Sequence, residues 1–191
     1  MNFAKTLKCV LGMVGAIGVL APVTSHAALG DSLFASGGVI TATFEGTAAA
    51  YDSELALVVT SPSYNSGWIF PNHSTAVGST FTFGSFASGT PLDFQLYVFN
   101  TGNTWHTGPA SGNVDGVIHA NVIYNWNSTG RTFVGFEDLY GGGDFDYDDH
   151  TFSFTNVNAI PEPETYAMLL AGLGLLGFAA RRRKLKETAT A

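Results

Sequence analysis

The sequence predicts an all-β domain, of the β-sandwich or jelly-roll kind, between a signal peptide and a short C-terminal transmembrane helix. Three observations predict it. Short runs of alternating or β-branched apolar residues recur through the middle of the chain, separated by turn-rich segments. Of the 191 residues only 12% are charged and 23 are glycine, which suits strands and turns better than a helical bundle. Near each end lies an uncharged apolar stretch with basic residues beside it.

Residues 1–27 read as the signal peptide. Lys5 and Lys8 give the positive start, and residues 10–20 are apolar. Ser25-His26-Ala27 then sets small residues at the −3 and −1 positions of a cleavage site after Ala27. The apolar run is short for a membrane span, so cleavage is expected over anchoring. The one cysteine, Cys9, lies inside this leader. Thr6-Leu7-Lys8 before it is a poor lipid-attachment signal, and the exported part is expected to have no thiol or disulfide chemistry.

Residues 28–157 carry the strand patterns. Strands are expected at 39–44, 55–60, 80–83, 94–99, 117–124, 132–136 and 151–154. Turns are expected at 61–65, 87–91, 101–116, 125–130 and 141–144. Seven or more short strands at this spacing fit a sandwich or jelly roll, with strand order open. Between residues 28 and 160 there are twelve acids and one basic residue, Arg131, a formal charge of −11. Such a surface repels nucleic-acid phosphates and is compatible with divalent cations.

The chemistry concentrates in residues 131–157, which read as strand, acidic Gly-rich loop, strand. Glu137 and Asp138 end the first strand. Gly141, Gly142 and Gly143 allow backbone conformations that side chains forbid. Asp144, Asp146 and Asp148 recur at every second residue, and Asp149 follows. A curved loop of this kind can turn several carboxylates onto one cation, and hard oxygen donors suit Ca²⁺. The alternative is a solvated acidic turn without metal. The spacing begins like an EF-hand but puts Asp149 where glycine belongs and Thr155 where glutamate belongs, and no flanking helices are predicted.

Phe136-Glu137-Asp138, Gly142-Gly143-Asp144 and Asp146-Tyr147-Asp148-Asp149, before a closing strand, resemble the family called domain of unknown function 4114. The resemblance covers about 27 residues well and the rest of the domain loosely. It implies a β fold, possible calcium binding and no enzymatic activity.

Residues 158–165 hold Pro161-Glu162-Pro163, an extended and accessible segment because proline breaks any preceding helix. Residues 166–180 are uncharged from Ala167 onward and are expected to form the transmembrane segment. As a helix these fifteen residues span about 22 Å, short for a hydrocarbon core of about 30 Å unless flanking arginines snorkel and the bilayer thins. Arg181, Arg182, Arg183 and Lys184 open a basic tail, residues 181–191, that should stay cytoplasmic. The Pro-Glu-Pro motif, the Gly- and Leu-rich span and the basic run together resemble the PEP-CTERM sorting tail of Gram-negative bacteria. That resemblance implies an exosortase-type membrane protease as partner, transient anchoring in the inner membrane, and delivery to the cell surface or exopolysaccharide matrix. A permanent single-span anchor is the alternative.

Catalytic signatures are wanting. His73, His106, His119 and His150 form no zinc-spaced pair, and His150 reads as a surface residue. No G-x-S-x-G elbow occurs. Six carboxylates in one loop read better as cation ligands than as a glycosidase pair. Trp68, Trp105 and Trp126, with Tyr64, Tyr97 and Tyr124, are candidates either for packing or for a sugar-stacking platform. The expectation is therefore a non-enzymatic structural or adhesive component of the cell surface or matrix, stabilised by calcium. The alternative is a carbohydrate-binding module, and a secreted hydrolase comes third.

Overall fold

The computed structural model describes residues 26–159 and 169–178. The signal-peptide assignment up to Ser25, the Pro161-Glu162-Pro163 motif and the basic run Arg181, Arg182, Arg183 and Lys184 lie outside the described residues.

Strands form where the alternation is cleanest. They are β1 (His26–Leu29), β2 (Leu33–Ala35), β3 (Gly38–Gly46), β4 (Ser53–Val59), β5 (Tyr64–Asn65), β6 (Thr80–Phe86), β7 (Pro91–Val98), β8 (Asn103–His106), β9 (Ala120–Trp126), β10 (Arg131–Phe136), β11 (His150–Phe154) and β12 (Val157–Asn158). In β7, Leu92, Phe94, Leu96 and Val98 are buried while Asp93, Gln95 and Tyr97 face outward, as a period of two requires. One sheet runs β1-β9-β10-β11-β3-β6, and the other β12-β2-β7-β4-β5 with β8 added to β7. All the pairings are antiparallel.

The inner faces of the two sheets share one core. Phe94 of β7 meets Phe154 of β11 with ring centroids 4.1 Å apart. Phe44, Phe70 and Phe152 stack beside them. β11 is buried at every residue, although alternate side chains must point away from the core. The outward Ser153 is covered by Arg131, whose Nε donates to Ser153 Oγ at 2.8 Å and whose Nη2 donates to Thr43 Oγ1. The domain's single basic residue is thus spent clasping three adjacent strands.

The sandwich expectation holds as two facing antiparallel sheets, and each of the seven expected strands has a counterpart. Three details differ. The strand expected at 117–124 starts only at Ala120, because Asp115 Oδ1 and Asn113 Nδ2 engage the backbone of Val117. The segment 101–116, read as turn, contains β8, which pairs with β7. β1, β2, β5 and β12 are two to four residues long, too short to show a period. β1 begins at His26, so two of its four residues precede the expected cleavage point.

Residues 169–178 form a short helix whose side chains are all exposed. No helix among the described residues is long and apolar enough to cross a membrane. The expected span at 166–180 extends past that helix at both ends, into residues outside the described set.

Candidate metal centre in the acidic loop

The acidic loop leaves β10, doubles back over it and returns as β11. Gly135 permits the crossing: a Cβ there would lie 2.0 Å from the Tyr147 carbonyl oxygen. The reversal uses left-handed backbone at Gly141, Gly142 and Gly143, and also at Phe145 and Tyr147, where side chains make it costly. Gly143 has a second reason to lack a side chain, since its Cβ would stand 2.7 Å from Glu137 Oε2.

This fold-back encloses Glu137. Its side chain is fully buried. Oε1 accepts a hydrogen bond from the Tyr147 N–H at 2.6 Å. Oε2 is buried with no hydrogen-bond partner. Oxygens of Glu137, Asp144 and Asp146 lie within 4.8 Å of one another, with both aspartates exposed. Burial pushes the Glu137 carboxyl up to about 7, the Tyr147 N–H opposes this, and the charges of Asp149, Asp144 and Asp146 add to the rise.

The other three predicted ligands stand apart from this triad. Asp138 is 3% exposed, and its backbone N–H donates to Asp149 Oδ2 at 2.9 Å. Its own Oδ2 is buried and unpartnered. Burial, then the Asp149 charge, raise its carboxyl to about 6. Asp138 and Asp149 line a cleft of about 610 Å³ with Tyr51, Leu139 and Asp144. Asp148 is exposed, and its N–H donates to Asp146 Oδ1 at 3.3 Å. Burial and the surrounding aspartates raise Asp148 and Asp149 above the ordinary carboxylate range.

Beneath the loop is a support that the sequence did not disclose. Trp105 Nε1 donates to the Asp138 carbonyl at 2.9 Å. The Trp105 ring stacks on His119, centroids 3.7 Å apart and planes 4° apart. His119 Nδ1 lies 3.0 Å from the Glu137 carbonyl oxygen, and Nε2 lies 2.8 Å from Asp115 Oδ2. The same Asp115 oxygen accepts from Gly141 N–H at 2.8 Å. These residues come from three separate chain segments, and apart from the four-residue step from Asp115 to His119 no sequence spacing links them.

One expectation is corrected. His150 is not a surface residue. It is fully buried against Phe44 and Phe152, with Nδ1 3.0 Å from Ser53 Oγ, and burial depresses its pKa to about 3. Trp105 belongs to the core and Trp126 stacks on Phe133, whereas Trp68 remains 42% exposed.

The residues fit a hard cation. A buried carboxylate oxygen without a donor is costly, and all three convergent side chains offer oxygen.

For the C-terminal segment, comparison with known families is decisive. Residues 159–184 match the PEP-CTERM protein-sorting motif. The chain carries an exosortase sorting tail. The PEP-CTERM motif implies export, anchoring in a membrane before processing, and recognition by the membrane protein exosortase. The match lies wholly outside residues 131–157, whose likeness to domain of unknown function 4114 it does not show. No curated protein and no solved structure matches the chain.

Proposed function

We propose that the chain is a non-enzymatic structural or adhesive protein of the cell surface or extracellular matrix, whose two-sheet domain is stiffened by one Ca²⁺ at Glu137, Asp144 and Asp146. The sorting motif at 159–184 supports the route. A signal peptide ending at Ala27 starts export, the segment 166–180 holds the chain in the inner membrane, and the basic run at Arg181, Arg182, Arg183 and Lys184 fixes its orientation. Exosortase then acts near Pro161-Glu162-Pro163.

The observation that carries the calcium reading is Glu137 itself, whose Oε2 is buried without a partner and whose carboxylate lies within reach of two exposed aspartates. The cation would supply the positive charge that the loop lacks. It would tie Asp144 and Asp146 to the end of β10, through a glutamate already fixed by Tyr147 and by the Trp105–His119 support. Asp138, Asp148 and Asp149 are left outside this primary set and strengthen the local negative field. A ligand that binds only the folded state at 100 times its dissociation constant stabilises by about 2.7 kcal/mol. Thermal unfolding of the purified chain in Ca²⁺ and in EDTA tests this. The expected result is a rise of several degrees with Ca²⁺, a smaller one with Mg²⁺, and almost none in Asp144→Asn/Asp146→Asn. Equal calcium shifts in wild type and variant would place the site elsewhere.

A further inference from the structure

The outer face of the second sheet carries large aromatic side chains with no core to fill. Glu54 of β4, Tyr97 of β7 and Thr104 of β8 stand side by side across the strands. Trp68 stacks on Tyr97, with centroids 5.3 Å apart and planes 26° apart. Phe99 meets the same tyrosine edge-on at 4.8 Å. Trp68 is 42% exposed and Phe99 49%. The strip runs into a cleft of about 470 Å³ that Phe99 lines together with Asp52, Glu54 and His73. The rim of that cleft is fixed: His73 Nδ1 lies 2.9 Å from Asp52 Oδ1 and Nε2 lies 3.0 Å from the Ala49 carbonyl oxygen.

We propose that this strip and cleft bind a neutral, hydroxyl-rich polysaccharide strand. Aromatic faces carry negative quadrupole density, which attracts the weakly positive C–H groups on the face of a pyranose ring. The carboxylates of Asp52 and Glu54 beside them accept hydrogen bonds from hydroxyls, so the combination of apolar platform and polar rim matches a sugar's two kinds of surface. Charge decides which sugars. Asp52 and Glu54 sit at the cleft of a domain with formal charge −11, and a polyanionic glycan would be repelled. A nonpolar partner would cover the remaining carboxylate oxygens of Asp52 and Glu54 without offering them a donor. The site uses no residue of the acidic loop, so its occupancy is independent of the calcium reading.

The test is tryptophan fluorescence of the purified full chain in detergent micelles with EDTA, titrated with neutral glucan, mannan and galactan oligomers and with polygalacturonate as the anionic comparator. The expected result is a saturable shift with at least one neutral glycan and none with polygalacturonate. Trp68→Ala should weaken that binding at least tenfold, and Trp126→Phe should leave it unchanged. Trp68→Phe, which keeps a ring, should retain part of the affinity and guards against a folding defect. Lack of a shift with every neutral glycan, tighter binding of polygalacturonate, or wild-type affinity in Trp68→Ala would overturn the proposal. So would a dimer in sedimentation that Trp68→Ala dissolves, since a second copy would then be the occupant.

Discussion

Glu137 couples fold and site at a single side chain. Its carboxyl is raised from 4.5 to about 7, first by burial and then by neighbouring aspartates. The folded state therefore holds a proton that the unfolded state has released between those values. Where the folded state binds more protons, stability falls as pH rises. Asp138, raised to about 6 by burial and by Asp149, acts in the same direction. Buried His150, depressed to about 3, acts the other way below pH 6.5, so the clean window lies above it: the calcium-free protein should melt at a lower temperature at pH 8 than at pH 6.5. Bound calcium must displace the proton, so the calcium-induced shift should grow through pH 7. Glu137→Gln removes the buried charge and keeps the shape. Scanning calorimetry in EDTA at pH 8 should show it a few degrees more stable than wild type, with its calcium response lost. A wild-type melting temperature in EDTA that does not change between pH 6.5 and 8 would mean that Glu137 is not buried as described. Gly143→Ala makes a complementary test. Its new Cβ meets Glu137 Oε2 at 2.7 Å and its φ of +54° is strained for alanine, so calcium response and stability should both drop.

Among the elements, the longer strands were readable where they alternate over five or more residues, as β3 and β7 do. β8 was hidden inside a Gly- and Asn-rich stretch. Its four residues show no period, and what places it is Trp105, fully buried, which propensity cannot position. The acidic loop was legible as a cluster, because Gly-Gly-Gly and alternate aspartates are local signals. Its division into a Glu137–Asp144–Asp146 triad, an Asp138–Asp149 pair and an exposed Asp148 beside Asp146 was not, because it depends on the chain crossing Gly135. His150 was misplaced for a similar reason: an acidic neighbourhood suggested solvent, while pairing with Phe136 of β10 and packing against Phe44 and Phe152 bury it. The Trp105–His119–Asp115 support gives the element-scale prediction. Trp105→Phe loses the bond to the Asp138 carbonyl and leaves that buried acceptor unpaired, a cost of about 1–3 kcal/mol. Urea unfolding should show this loss, together with a reduced calcium shift because the loop's footing is slackened. An unchanged midpoint would remove the support from the account. At the other end, cleavage after Ala27 would cut β1 to Ala28 and Leu29, whose partners are Val122 and Asn121. The exported form should begin at Ala28 on terminal sequencing, and Met1 on that form would contradict the signal peptide.

For the whole molecule, charge is partitioned by segment. The domain holds nearly all the acids, and the basic residues other than Arg131 lie near the two ends, beside the apolar stretches. That partition suits a chain whose ends deal with the membrane and whose middle works outside it. Replacing Arg181, Arg182 and Arg183 with Glu should impair membrane orientation and reduce release, as seen by fractionating cells, because the positive-inside bias is lost. The central claim is that the tail at 159–184 is a processing signal that leaves the domain free. Peptide mass spectrometry of the released protein, in cells with and without the exosortase-type protease, tests it most directly. The account predicts released protein without peptides beyond about Tyr166, and full-length chain retained in the membrane fraction when the protease is missing. Released protein that still carries Leu185 and Lys186 would contradict it.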